Sequence, residues 1–282
     1  MDNFLISDAP SDDDSGPGYP LPANVILRRF WRGQTIEVVE EEMGTRALYF
    51  RSRLIQSRMD PTDPIRLVLP YSRHMMASLM FLPATEGQKI LMIGLGGGSL
   101  AKFILHHWPI SLLDVVEIDG GMERLARTFF NLPEDPRLHI HVADGAVFLQ
   151  TANDTRYDMI LVDAFDHQGM AETVYARHFF VSARQLLTPS GLIAINATKT
   201  DTAAYNMIAK TLKGLFTEGL LRLPVRLSRN EILLCFPQPI SQTQWIWAGK
   251  QAKVLEEKLS LEFAQFLRDL RRFSSPFWSR GI

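Results

Sequence analysis

The chain has 282 residues, 46% of them apolar, enough for one large α/β domain with an appendage. Its 30 basic and 31 acidic side chains give a formal net charge of -1, so no electrostatic case exists for nucleic acid or an anionic membrane. No apolar run approaches the ~18 residues of a bilayer span, no basic start with an apolar core marks a signal peptide, and the lone Cys235 excludes an internal disulfide and suits a reducing cytoplasm.

Residues 1–20 hold five Asp and no Lys or Arg among Ser, Gly and Pro, and are expected to form a disordered acidic tail. From Thr35 to Ser57 apolar and polar residues alternate around the Gly-containing turn Met43-Gly44-Thr45, which predicts a small antiparallel sheet. Pro61 and Pro64 follow. A helical spacing over YSRHMMASLMFLP then leads onward, with Met75, Met76 and Met80 as core residues. Residues 21–82 are therefore expected to be a small β-sheet domain with a linking helix.

Between Lys89 and Asp166 four runs rich in Val, Ile and Leu end at Gly94, Glu117, Asp144 and Asp163. Runs of that kind alternating with helical patterns predict a parallel sheet buried on both faces, the core of a domain over residues 83–282. Further on, ETVYARHFFVSARQLL is predicted helical and stops at TPSG before the strand LIAIN. TAAYNMIAKTLKGLF is a further helix, and LLRLPVRLS with NEILLCFPQ reads as a hairpin around Arg229–Asn230. Residues 243–273 read as one or two helices packing Trp245, Trp247, Leu255, Leu259, Phe263 and Phe266 on the sheet.

In an open parallel sheet ligands bind outside the carboxyl ends of the strands. There the chain places GLGGGS, whose backbone N–H groups at Gly94, Gly96 and Gly97 can approach a ligand closely. Ser99 stands where the third glycine of G-x-G-x-x-G would be, so a tight packing turn is an equal reading. Glu117 lies about 20 residues past the loop, where an acid accepts both ribose hydroxyls. Asp144 can accept from an adenine amine, cap the following helix, or do both. The acids Asp163 and Asp166 of DAFD suit holding and deprotonating a cationic amine, or capping. His167 beside them is a candidate substrate contact. A glycine loop and three strand-end carboxylates favour an adenosyl-sulfonium ligand over NAD. The seven histidines give no metal signal: His106 and His107 are neighbours, and His139 and His141 share a strand face without an evident third ligand.

These motifs resemble those of the spermidine/spermine synthase family, the polyamine aminopropyltransferases, over roughly Gln34 to Pro237. GLGGGS matches the family's GGGDGG, VEID at 116–119 and DG at 144–145 match as they stand, and DAFDHQGMAETVYARHFF follows D-x-x-D-P-x-G-P-A-x-x-L-F-x-x-x-F-Y. LIQS at 54–57 resembles the end of L-D-G-x-x-Q-x. The resemblance implies a class I methyltransferase-like (Rossmann-like) α/β fold with an N-terminal β-appendage, usually dimeric or tetrameric. It implies that Glu117 grips ribose, Asp144 and Gly145 read adenine, and Gln56 lies near the nucleoside. Asp163 becomes the acid–base residue, with Asp166 and Tyr71 on the acceptor side. The co-substrate implied is decarboxylated S-adenosylmethionine or S-adenosylmethionine, with no metal. The expected partner is a small-molecule amine, and the expected assembly a cytoplasmic homodimer.

The departures from that pattern are specific. Gly97 replaces the loop's acid, Tyr71-Ser72-Arg73 replaces Y-H-E, and His167 and Met170 replace two prolines. No tyrosine stands in LPVRLS, where the family supplies one to the acceptor. The nucleoside half is retained and the amine half partly rebuilt. Three functions follow in order: a spermidine synthase-like aminopropyltransferase, a methyltransferase using S-adenosylmethionine on a small acceptor, and a non-catalytic nucleoside-binding relative.

Overall fold

The computed structural model describes residues 24–31, 34–50, 55–83, 87–109, 111–152, 155–166, 169–171 and 173–274. The expected acidic tail of residues 1–20 and His167 lie outside them.

Strands β1 (Val25–Trp31), β2 (Gln34–Glu40), β3 (Arg46–Phe50) and β4 (Ile55–Met59) form an antiparallel meander in chain order. The sheet predicted from residue 35 is present, with β1 added as its outer strand. Alternation turns Ile36, Val38 and Leu48 inward, where they are fully buried. Helix α1 (Pro70–Met75) begins on a proline, suited to a first helical position. It tightens into a 3₁₀ segment over Met76–Phe81 whose residues are all buried, including Met75, Met76 and Met80 as expected.

The remainder alternates strand and helix: β5 (Gln88–Ile93), α2 (Ser99–His107), β6 (Ser111–Glu117), α3 (Met122–Phe130), β7 (Leu138–Val142), α4 (Gly145–Thr151) and β8 (Tyr157–Val162). A two-residue hairpin, β9 (Phe165–Asp166) and β10 (Gly169–Met170), precedes α5 (Arg177–Gln185), β11 (Leu187–Thr198), α6 (Thr202–Leu215), β12 (Leu220–Pro224) and β13 (Asn230–Cys235). Helices α7 (Gln242–Leu259) and α8 (Phe263–Phe273) close the described chain. The seven-stranded sheet has the order β12-β13-β11-β8-β5-β6-β7, and only β13 runs against its neighbours. Strand order reverses between β5 and β8, which opens a crevice at their carboxyl ends.

Two apolar layers cover the sheet. One combines α2, α3, α7, α8 and the 3₁₀ segment, and it extends without a break into the N-terminal sheet through Ile36, Val38, Leu48 and Phe50. The other lies under α4, α5 and α6. Three expectations are corrected in detail. Residues 173–176 turn rather than continue a helix, because Tyr175 reaches down to bond the Asn196 carbonyl at 2.8 Å. TPSG lies within β11, where an irregularity between Leu187 and Leu192 lets Gly191 pack on the Tyr157 carbonyl. Trp247 is 41% exposed and does not join the apolar set of α7. Among the described residues no helix is long and apolar enough to cross a membrane.

Candidate active site

Two backbone bonds carry the parallel ladder one step past its strands: Gly94 N–H donates to the Val116 carbonyl at 2.8 Å, and Asp163 N–H to that of Ile93 at 2.9 Å. They bring the glycine loop, Glu117 and Asp163 to one edge. Gly94 has φ +98°, and a Cβ there would overlap the Asp163 carbonyl oxygen. Gly96 has φ +52°, and a Cβ there would stand 4.0 Å from Ser57 Cβ.

Glu117 is buried at the end of β6. Its Oε2 accepts the Leu95 N–H and its Oε1 the Asp119 N–H, both at 2.9 Å. Burial pushes its carboxyl above the usual range, and the loop N–H groups counter part of that rise. Glu117 therefore ties the glycine loop to β6, while each oxygen keeps acceptor capacity for a ribose hydroxyl. Asp119 is also buried and forms a two-point ion pair with Arg29 of β1. The guanidinium occupies the space a Cβ on Gly121 would need. This tie between the small sheet and the nucleoside edge carries no sequence signature, since the partners are 90 residues apart.

Asp144 caps α4: Oδ1 accepts from Ala146 N–H at 2.8 Å and Val147 N–H at 3.2 Å. Among the described residues, its Oδ2 takes only a 3.3 Å bond from the Thr173 hydroxyl. A Cβ on Gly145 would stand 2.7 Å from Ile93 Cγ2, so close packing of α4 on β5 itself requires that glycine. Ile118, beside Glu117 in the chain, and Val142, two residues before Asp144, are 41% and 61% exposed and form an apolar lip at the strand ends. Their signal in the sequence is weak, because both sit at the ends of otherwise buried runs.

Asp163 follows β8, and three groups converge on it. Asn196 of β11 donates its amide to Oδ1 at 2.9 Å. The Tyr71 hydroxyl of α1 also bonds the carboxyl, and Tyr175 lies within its electrostatic reach. Burial raises the Asp163 carboxyl, and the bonds from Asn196 and Tyr71 work against that rise. The same burial and the adjacent carboxylate hold both tyrosines protonated, well above their ordinary value. Tyr71 Oη is 3.3 Å from the Gln56 carbonyl, which brings β4 to the same site. Asp166 pairs with Gly169 in the β9–β10 hairpin three residues on. Its side chain, like His167, lies outside the described residues.

Gly97 packs tightly: a Cβ would stand 2.7 Å from Ser57 Oγ and 2.9 Å from the Phe130 ring. Ser57 Oγ in turn lies 3.2 Å from Ser99 Oγ at the start of α2. Arg73 pairs with Glu262 instead of facing the crevice as an unpaired cation. Buried Lys102 donates to the Phe130 carbonyl at 2.5 Å, and burial lowers its pKa to about 8; it serves the C-terminus of α3. His139 and His141 both face Asp114 across β6 and β7. Among the described residues no group of three His, Cys, Asp or Glu is arranged to hold a metal ion.

Comparison with known proteins agrees with this geometry. The chain is 35% identical over 235 residues to a polyamine aminopropyltransferase of Chromobacterium violaceum, covering 83% of this chain and 88% of that one. It is 30% identical over 220 residues to an eEF1A lysine and N-terminal methyltransferase of Xenopus laevis, over 73% of this chain and 32% of that one. A spermidine synthase solved with the transition state analogue AdoDATO superposes with a TM-score of 0.73 at 16% identity, over 91% of this chain and 87% of that one, a likeness of fold. Residues 69–218 match the spermine/spermidine synthase domain, and that match together with the Chromobacterium relative shows that the chain belongs to the spermine/spermidine synthase family.

Proposed function

We propose that the protein moves an aminopropyl group from decarboxylated S-adenosylmethionine to an amine acceptor such as putrescine. The observation that carries this reading is Asp163, a largely desolvated carboxylate against the glycine loop at the strand-order reversal, with Tyr71 and Asn196 fixing its orientation. Glu117, with spare acceptor capacity on both oxygens, holds the ribose of the donor. Asp144 Oδ2 and the lip of Ile118 and Val142 receive the adenine. Asp166 holds the acceptor ammonium.

The acceptor nitrogen attacks the propyl carbon next to the sulfonium. A C–N bond forms, the C–S bond breaks with its electron pair going to sulfur, and methylthioadenosine leaves. The proton lost from nitrogen passes to Asp163, whose raised carboxyl suits a general base better than an ordinary surface aspartate would. Negative charge near the sulfonium also favours productive placement of the donor. A homodimer in the cytoplasm, working without a metal, completes the reading.

The test is chromatographic detection of methylthioadenosine and the aminopropylated amine from purified protein. No product with putrescine or longer diamines, at millimolar donor, removes the reading. Methyl transfer from S-adenosylmethionine is the second reading. Gly97, which carries no acid to repel a donor carboxylate, and the Xenopus methyltransferase relative favour it.

A further inference from the structure

Asp163 is the inner end of a hydrogen-bonded chain that begins at the protein surface. In the β12–β13 turn the Ser228 hydroxyl donates to Asn230 Oδ1 at 2.7 Å. Asn230 Nδ2 donates to Asn196 Oδ1 at 2.8 Å, and Asn196 Nδ2 donates to Asp163 Oδ1 at 2.9 Å. Asn196 and Asn230 are diagonal neighbours on one face of the antiparallel pair β11/β13. Every link has a direction. An ionised carboxylate only accepts, so the Asn196 amide must face it with NH₂. That leaves Asn196 oxygen to Asn230 NH₂, and Asn230 oxygen to a hydroxyl. Tyr175 holds the Asn196 carbonyl from below at 2.8 Å, which fixes the backbone from which that amide projects.

We propose that Ser228, Asn230 and Asn196 form a positioning relay that keeps Asp163 a hydrogen-bond acceptor, and so ionised, despite its burial. The inference deepens the aminopropyltransferase reading and rests on it for its kinetic readout. On the other side of the carboxyl, Tyr71 has two acceptors in reach, Asp163 and the Gln56 carbonyl at 3.3 Å. It donates to Asp163 while that group is ionised, and turns to Gln56 once Asp163 has taken the acceptor's proton. Among the described residues, the ionisable side chains facing Asp163 are Tyr71 from α1 and Tyr175 from the turn before α5, both held protonated. Asp166 follows in β9. The direction of the amides, set from Asn230, is an adjustable influence on the base.

The test replaces Asn230 by Leu, which is close in size and cannot donate, and separately by Asp, which would take the Asn196 NH₂ for itself. The pH profile of kcat/KM is then compared with that of the native protein. The relay requires the acidic limb to move to higher pH in both variants. It also requires kcat near neutral pH to fall about tenfold, the worth of one hydrogen bond to a charged group, with the acceptor KM nearly unchanged. An acidic limb that stays in place in both, or a loss confined to KM or to melting temperature, overturns the relay. If Asn230→Asp does not fold, Asn230→Leu alone decides. The Asp163 carboxyl band is also followed by infrared titration, as the difference between native protein and Asp163→Asn. It must move in the Asn230 variants even if no aminopropyl transfer is found, so a failed relay and a failed function are told apart.

Discussion

Gly94 and Asp163 are in backbone contact: the face of Gly94 that would carry a side chain lies against the Asp163 carbonyl oxygen. The nucleoside loop and the general base thus have a fixed separation, and a change in one reaches the other. Gly94→Ala combines a left-handed backbone with a steric overlap against main chain that has no soft side chain to yield. It should cost about 3 kcal/mol in a urea melt, at the upper end of overpacking effects, and lose activity even in the folded fraction. A variant that melts like the native protein and turns over normally removes the coupling.

Asp163→Asn should fold and lose ~10²–10⁴-fold in turnover, the usual contribution of a positioned base. It should also be more stable at neutral pH. The folded carboxyl of Asp163 lies above its unfolded value because burial raises it. Between the two values the folded state binds more protons, so stability falls as pH rises through that window and stays lower above it. The amide is free of that loss. The melting-temperature advantage of the variant should therefore be largest near pH 7 and vanish below pH ~4, the unfolded aspartate value. An advantage independent of pH would mean that Asp163 ionises freely.

Methylthioadenosine should raise the melting temperature. A ligand present at 100 times its dissociation constant adds about 2.7 kcal/mol. Because Glu117 also anchors Leu95 and Asp119 through their N–H groups, Glu117→Ala mixes lost binding with a loosened loop. Glu117→Gln keeps the size but has one acceptor oxygen, so it gives up one of the two backbone N–H bonds as well as one ribose hydroxyl. The expected outcome is a melting temperature lowered less than in Glu117→Ala without ligand, and a much reduced rise with it. An undiminished rise takes Glu117 out of the ribose site.

Much of this site was legible because its parts are local. Gly94, Glu117, Asp144 and Asp163 each end an apolar run, and parallel topology alone brings run ends together. The two readings of Asp144 and Gly145 could not be separated from spacing, since an N-cap and a strand-end ligand use the same residue at the same place. The structure shows the cap realised and one oxygen still lightly used. Asn196 could not be read at all: within LIAINAT it is one polar residue in a buried strand, and its meaning comes from a pairing with Asn230 across 34 residues. Arg73 is the converse case. Its partner Glu262 is 189 residues away, and an arginine near a candidate site reads as available until that partner is seen.

The Arg29–Asp119 pair should carry the docking of the N-terminal sheet. Asp119 is 2% exposed, so Arg29→Ala leaves a buried carboxylate whose remaining partner among the described residues is the Gly121 N–H. Breaking one side of such a pair costs about 3–5 kcal/mol. Protease sensitivity within residues 24–59 should rise, and nucleoside affinity should fall, because Asp119 N–H also supports Glu117. Asp119→Asn combined with Arg29→Ala should recover part of the stability. A single-variant cost under about 1 kcal/mol, the worth of an exposed pair, would show that the sheet docks by its apolar face alone.

Donor selectivity should be weaker than in a relative whose glycine loop carries an acid. An acidic residue there attracts the amine of the decarboxylated donor and repels the carboxylate of S-adenosylmethionine, a difference that can reach several kcal/mol. Here Gly97 supplies no charge, and Arg73 does not compensate because Glu262 holds it. Gly97→Asp alone is a poor test, since its Cβ would meet Ser57 Oγ at 2.7 Å and the Phe130 ring at 2.9 Å. The double variant Gly97→Asp with Ser57→Gly removes the first obstacle and leaves the buried Phe130 ring to shift. Calorimetry on the native protein should find the two donors within about a hundredfold of each other, under 2.7 kcal/mol. The double variant should widen the gap toward the decarboxylated donor. A native preference already beyond a hundredfold would place the discriminating charge elsewhere, with Asp166 the first residue to replace. A native preference for S-adenosylmethionine would put methyl transfer ahead of aminopropyl transfer.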